Sequence, residues 1–324
     1  MRKIPRFISR QIGRCISADW LLQREFPCFL PFYHVVSDKR LPHILNYPYR
    51  NRHDFEKELD FFLQYFKPVS LEELVSGNCT GKKVFHLTFD DGLRECSEVI
   101  APILLKKGIP ATFFINTAFA DNMDLFHRYK ASLILSKLRQ KPNRTVRKIL
   151  TAHQMKGDRV LSAGYNDMHV LRDAALLLKI DYEKYLRKKK PYLTWEQIKQ
   201  LAASGFTIGA HSHTHPELWK LPAKDQLREV KVSMEKVVEV LNPAIKAFSF
   251  PYTDSGVPAT VLNSIRNEGI CDITFGTAGI KYDQYDYHFQ RYPVELPGDF
   301  LDNLKTEIVY FELRKWVGKA TVKH

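Results

Sequence analysis

The sequence predicts an α/β fold in which about seven short parallel strands close into a barrel, interrupted once by a helical insertion. Three observations predict it. Short runs of apolar and β-branched residues, the first at 29–36 and the last at 290–294, are separated by segments with helical spacing of apolar positions; this alternation gives a parallel sheet. The residues carrying the most chemistry, Asp90-Asp91, His211 to His215 and Pro251-Tyr252, each lie at or just past the end of such a run. In an α/β barrel those strand ends share one rim, and 324 residues suits a barrel of this kind as one domain.

Residues 1–28 read as a basic N-terminal segment. Arg2, Arg6, Arg10 and Arg14 recur every four residues beside Ile4, Phe7, Ile8, Ile12 and Ile16, the pattern of a basic amphipathic helix. Two readings stay open: an apolar stripe docked on the domain, or a helix lying on an anionic membrane surface. The N-terminus has no secretory apolar core, and no run approaches the roughly 18 apolar residues of a spanning helix. Residues 29–36 form the first predicted strand, with Pro31 near its start, where a missing donor is tolerated. Phe55, Leu59, Phe62 and Phe66 mark a helix stripe. A short helix follows, capped by Ser70 with Glu73 three residues on. Residues 84–89 are a buried strand closed by Asp90-Asp91-Gly92, with Gly92 supplying the permissive turn backbone. Val99, Ile100, Ile103 and Leu104 then set a helix ended by Gly108 and Pro110, started or kinked by Pro102. Residues 111–116 are the next strand.

From about residue 121 to 191 the pattern changes to helices rich in Lys, Arg and Leu. Leaving the chain after a strand, this segment should emerge on the chemical rim, either as a lid or substrate-binding cap or as a decoration with a solvated basic face. Thr194 and Gln197 form a capping box opening a helix to Ala203, stopped by Gly205. The strand at 206–210 runs into the histidines. A long amphipathic helix at 224–241, strands at 247–252 and 270–275 flanking a helix at 257–266, a last strand at 290–294 and a closing helix at 300–316 complete the order. The barrel is thus expected over 29–318, with 319–324 as a tail.

A hydrophobic fraction of 44% is ample for a core. The five cysteines, Cys15, Cys28, Cys79, Cys96 and Cys271, are odd in number and form no C-x-x-C pair. That speaks against a disulfide framework and a structural zinc site, and for a reducing cytoplasm, with peripheral membrane attachment through the N-terminal helix as the variant. A net charge of +13 suits an anionic partner. Nucleic acid is not expected, because no recognisable binding motif accompanies a charge spread along the whole chain.

The paired aspartates repel one another, and burial sharpens the repulsion, so both ionise only beside something cationic. A solvated Asp-Asp-Gly turn is the alternative. Three histidines in five residues change the balance, in a chain with only 12. His211 and His215 converge on one ion if the backbone curls after its strand; a straight strand would instead bring His211, His213 and His215 to one face. Two imidazoles and one carboxylate leave coordination positions open for water, as catalytic sites do.

Thr88-Phe89-Asp90-Asp91-Gly92 together with His211-Ser212-x-x-His215 resembles the polysaccharide deacetylase family, the NodB-type carbohydrate esterases, from about Leu30 to Val294. The resemblance implies a distorted (β/α) barrel, with 121–191 as an insertion, and a metal-dependent hydrolase that removes N-acetyl groups from an amino-sugar-containing glycan. It implies that Asp91, His211 and His215 hold a divalent metal, zinc being the expected ion, and that Asp90 is the general base. It further implies that the Tyr252 backbone N–H, following Pro251, faces the oxyanion. The Tyr33-His34 pair looks like the opening strand of many members. Two departures stand out. Ser249 occupies the position where the family often has an arginine steadying the catalytic aspartate, and the family's late leucine-x-histidine has no clear counterpart. His288 and Arg291 lie in the right region at the wrong spacing, which leaves His34 and His288 as candidates for the general acid. A catalytically weak glycan-binding relative and a non-haem iron enzyme are the competing readings.

Overall fold

The computed structural model describes residues 6–77 and 83–324; Arg2, Ile4 and Cys79 lie outside them. One sheet carries eight parallel strands: β1 Pro31–Tyr33, β2 Leu87–Phe89, β3 Ala111–Ile115, β4 Thr207–Ala210, β5 Ala247–Ser249, β6 Ile273–Gly276, β7 His288–Gln290 and β8 Tyr292–Pro293. Their order is β7-β6-β5-β4-β3-β2-β1-β8. The two end strands are halves of one run interrupted at Arg291. Arg291 donates its N–H to Gly276 O on β6 (3.2 Å), and Tyr292 donates to Leu30 O beside β1 (2.8 Å). The sheet therefore closes on itself, and counting the split run once turns eight strands into the expected seven staves.

Strand alternation sorts the residues. Phe89, Phe113, Ile208 and Phe248 face outward into the main core, where helices cover them. Phe114, Ala247, Ile273 and Phe275 pack together in a separate inner cluster. Inward-facing polar side chains bond one another: His86 bonds Thr112 (2.9 Å), and Arg291 bonds Thr88 and Ser249.

The covering helices follow their sequence signals. Phe55, Leu59 and Phe62 are the buried stripe of Arg52–Tyr65. The Ser70–Glu73 and Thr194–Gln197 capping boxes are both complete. Pro102 sits in the first turn of Ala101–Lys107, where a lost N–H costs nothing, after a π-helical turn at Cys96–Ile100. Phe300–Trp316 closes the chain's helical order at the expected bounds.

Four differences from the sequence expectation have physical causes. The strand at 84–89 breaks at His86, whose Nδ1 bonds Val69 O (2.8 Å); Val84–Phe85 pairs instead with Lys67–Pro68 outside the barrel. Residues 29–36 shorten to three in the sheet, the ends bridging to Phe85 and Arg50. Residues 319–324 are not a loose tail, because Thr321–Val322 pairs with Tyr282–Asp283. The helix Arg6–Arg14 docks on Phe300–Trp316, not through its apolar residues but through Ser9 and Gly13. A Cβ on Gly13 would lie 3.3 Å from the Lys305 backbone, so close approach selects the small residues there. Phe7 stays 68% exposed as a result. Among the described residues no helix is long and apolar enough to cross a membrane.

The inserted segment is four helices, His127–Gln140, Arg144–Ala152, Met168–Leu177 and Tyr182–Lys189, with a core of their own around Ile134, Val146 and Leu171. The first of these helices reaches the barrel rim.

Candidate active site

Each element of the site is a strand end bent into an uncommon backbone conformation. β2 ends at Phe89, the N–H of Asp90 donates to Tyr33 O (2.9 Å), and the chain then turns sharply: Asp91 has φ 72° and Gly92 φ 61°. At Gly92 a Cβ would stand 3.0 Å from the Ile115 side chain, so both the φ and the space call for glycine. β4 ends at Ala210 and the backbone curls through Ser212 (φ 64°) and His215 (φ 56°). Glu229 holds that curl by accepting the N–H groups of His213 (3.0 Å) and Thr214 (2.8 Å). Tyr252, past β5, has φ 58°. Left-handed backbone at non-glycine residues costs roughly 1–2 kcal/mol each and concentrates at functional sites. Here Asp91, His215 and Tyr252 all carry it.

These bends bring the sequence-predicted residues together. Asp91 Oδ1 is 3.3 Å from His215 Nε2 and 3.7 Å from His211 Nε2, and all three side chains are buried. A four-coordinate ion with bonds of about 2.0–2.1 Å needs ligand atoms about 3.4 Å apart, so the spacing suits one cation. Two further features fit. Asp91 Oδ1 is a buried oxygen with no hydrogen-bond partner, while its sister Oδ2 accepts from Tyr129 Oη (2.8 Å) and Tyr47 Oη (3.4 Å). One oxygen is thus held and the other left bare. His211 places Nδ1 on Ser249 O (2.8 Å), which presents the Nε2 lone pair to the centre. Burial brings the His211 pKa down to about 4 against the pull of Asp90, so the ring is neutral, the form that ligates.

Asp90 lies beside this group, Oδ2 3.8 Å from His211 Nε2. Burial works against its charge, but the Arg291 guanidinium, with His211 and His34 beside it, more than offsets burial and holds the carboxyl below the usual range. Arg291 is itself fully buried and grips Asp90 with both terminal nitrogens, Nη1 to Oδ1 and Nη2 to Oδ2 at 2.8 Å each. It also donates to Thr88 Oγ1 (2.9 Å) and Ser249 Oγ (2.5 Å) and lies on the Phe32 ring. The missing arginine is thereby accounted for. Serine at 249 is short enough to leave room, and a guanidinium arriving from the break between β7 and β8 fills it.

His34 also reaches this rim, its ring stacked on Tyr47 (4.5 Å between centroids). Burial lowers its pKa, but the Glu295 carboxylate, which accepts from Nδ1 at 2.6 Å, and the charges of Asp91 and Asp90 carry it up to about 9. His34 is therefore a cation at neutral pH with about a quarter of its side chain exposed. Tyr252 packs its ring 4.7 Å from that of His215, and its N–H has no acceptor among the described hydrogen bonds.

Two expectations are corrected. His288 is not at the site. It stands three residues before Arg291 in a strand, hence on the opposite, outer face, with Asp254 and Thr274 as partners. His213 points away as well, its Nδ1 2.9 Å from Thr117 Oγ1, because the curl removes the shared face that a straight strand would have given.

Sequence reasoning placed the inserted segment on the chemical rim, as a cap or a decoration, without naming the residues it contributes. Tyr129 holds Asp91, Phe126 packs its ring 4.4 Å from that of His215, His127 Nε2 meets Tyr252 Oη (3.1 Å), and the Arg128 guanidinium covers the Tyr252 ring at 4.2 Å. The segment is one wall of the site and not a detached decoration. Glu295 had no motif to announce it. Arg291 did leave a signal, as a cation in the middle of a predicted strand.

A family model described as polysaccharide deacetylase matches residues 77–271. No curated protein matches significantly. Among solved structures, IcaB from Ammonifex degensii is 16% identical with a TM-score of 0.56, over 88% of this chain and 98% of that one. The Streptococcus pyogenes deacetylase PplD in complex with acetate is 17% identical, again at 0.56, over 88% and 99%. A polysaccharide deacetylase from Bacillus cereus is 15% identical at 0.53, over 88% of this chain and 69% of its own. At such identities the likeness is one of fold.

Proposed function

This chain belongs to the polysaccharide deacetylase family, and from that premise we propose that it hydrolyses the acetamide of N-acetylated amino sugars in a glycan, with a divalent cation, zinc, held by Asp91, His211 and His215. The observation that carries the reading is the bare Asp91 oxygen facing two imidazole nitrogens beside a second, arginine-bound carboxylate. A cation bound there polarises the acetyl carbonyl and brings the pKa of a bound water toward about 7.

The chain's own residues supply the remainder. Asp90, kept ionised and aimed by Arg291, takes the proton of the attacking water. The Tyr252 N–H faces the carbonyl oxygen as charge develops on it, and the His127 hydrogen bond to its hydroxyl and the Arg128 guanidinium on its ring hold that residue in its left-handed turn. His34, a cation oriented by Glu295, gives a proton to the departing sugar nitrogen. The C–N bond then breaks, leaving acetate and a free amine. Tyr129 and Tyr47 keep Asp91 turned with one oxygen inward.

Acetate release from N-acetylated oligosaccharides, measured on chelator-treated chain with and without zinc, tests this. Asp90→Asn and His34→Gln should each lose about 10²–10⁴-fold in rate. An unchanged rate in Asp90→Asn would remove the base. Bound glycan without any acetate release, at every metal tried, would favour the glycan-binding reading. The helix Arg6–Arg14 exposes Phe7 and Ile8 between its arginines, which supports contact with an anionic membrane surface; co-sedimentation with anionic but not neutral vesicles, lost in Phe7→Ser, is the check.

A further inference from the structure

We propose that Asp254, Asp283, His288 and His324 form a second divalent-cation site, independent of the one above, which fastens the Thr321–Val322 strand to the outer wall of the barrel. The wall changes character there. Where β2 to β5 turn Phe89, Phe113, Ile208 and Phe248 outward, β6 and β7 turn out Thr274, His288 and Gln290, all buried. The ribbon of Tyr282–Asp283 and Thr321–Val322 brings Asp283 to this patch, His324 follows it, and Asp254 arrives from the loop after β5.

One ligand atom from each of the four residues lies within 4.8 Å of the other three. Two imidazoles and two carboxylates are a donor set that zinc and its neighbours accept, and the two carboxylate charges balance one divalent cation. The surroundings are built to orient these ligands. His288 Nδ1 sits 2.7 Å from Thr274 Oγ1, whose hydroxyl faces Tyr287 O at 3.4 Å. With Nδ1–H donating along that chain, Nε2 points a lone pair at Asp254 Oδ2, 3.1 Å away. Two lone pairs at that distance repel unless a positive charge lies between them. Gln290 has its amide orientation fixed by accepting the Ala278 N–H (2.7 Å), and its NH₂ group ties the two carboxylates together at 2.6 and 2.9 Å. Asp254 Oδ1 is held by the Thr277 N–H (3.1 Å). Gly276 completes the cradle, because a Cβ there would come within 2.5 Å of the Asp254 carboxyl carbon.

A proton shared within each His–Asp pair is the competing occupant, and metal counting separates the two. The full chain is stripped with chelator, equilibrated with zinc, desalted and analysed for metal per chain, alongside a His211→Ala/His215→Ala variant. Two zinc ions in the wild type and one in the variant are expected. Zinc should also raise the melting temperature of that variant, and adding Asp283→Asn/His324→Ala should abolish both the ion and the shift. One ion in the wild type that persists in the variant still supports this site and sinks the other. One ion lost in the variant, or none in either protein, overturns the proposal, as does an unaltered ion count when Asp283 and His324 are replaced. Both of those residues lie at the edge of the fold, so where the His211→Ala/His215→Ala variant fails to fold, Asp283→Asn/His324→Ala made in the wild type decides the matter: the ion count falls by one if the site exists and is unaltered if it does not.

Discussion

Arg291 should behave as one half of a buried ion pair whose loss costs more than any surface contact. The guanidinium makes two 2.8 Å bonds to Asp90 and is fully buried. Two unit charges with centres about 4 Å apart attract by about 4 kcal/mol at an effective dielectric near 20. Removing one partner strands the other in the barrel, so Arg291→Met should destabilise the metal-free chain by about 3–5 kcal/mol. Asp90→Asn should cost a comparable amount, since it strands the guanidinium. In the double variant neither charge remains, and its cost should fall short of the sum by at least about 2 kcal/mol. Urea unfolding of the four proteins at one pH, with m-values checked for constancy, measures that coupling. Single losses under about 1 kcal/mol that add to within about 0.5 kcal/mol would show that the two groups do not act as a pair, and the account of how Asp90 stays ionised would fall with them.

Three more outcomes follow from the same contacts. Tyr129→Phe removes the hydroxyl that holds Asp91 Oδ2 and should weaken zinc binding about 10–100-fold by competition with a chelating dye, with no change in secondary structure. His34 has a folded pKa raised to about 9 from 6.5, so its stabilising contribution is complete below about pH 6.5 and disappears as pH climbs to about 9. Urea titrations of metal-free wild type should lose stability over that window, by no more than about 3 kcal/mol, and His34→Gln should lack this slope. Gly92→Ala must hold φ 61° with a methyl 3.0 Å from Ile115; it should lower stability by about 1–2 kcal/mol and acetate release by more than the stability loss explains, because Asp91 moves with the turn.

What could be read from the sequence was what depends on near neighbours. Short runs of apolar and β-branched residues, capping boxes and the Gly108 and Gly205 stops are local, and the helices and most strands fell within a few residues of expectation. The meeting of Asp91, His211 and His215 was legible for the same reason, since two short clusters at strand ends need only a shared rim to come together. The broken stave was not. Residues 288–293 split where backbone pairing passes from β6 to β1, and Arg291 at that switch reaches Asp90 across 201 positions, contacts that no local pattern encodes.

That contact also explains how the site keeps its electrostatics without the arginine that its motif leads one to expect. A carboxylate buried beside a second carboxylate needs a cation at a point in space, and the point does not specify which strand supplies it. With serine at 249 the space over Asp90 is open, and the next inward-facing side chain long enough to fill it lies across the closing seam of the barrel. Reaching it takes the full length of an arginine, and the planar fork then satisfies both carboxylate oxygens at once, which a lysine could not. Arg291→Lys should accordingly keep the charge, lose one of the two bonds and recover only part of the coupling measured with Asp90. Full recovery by lysine would mean that charge alone, and not the bidentate geometry, is what the barrel selects.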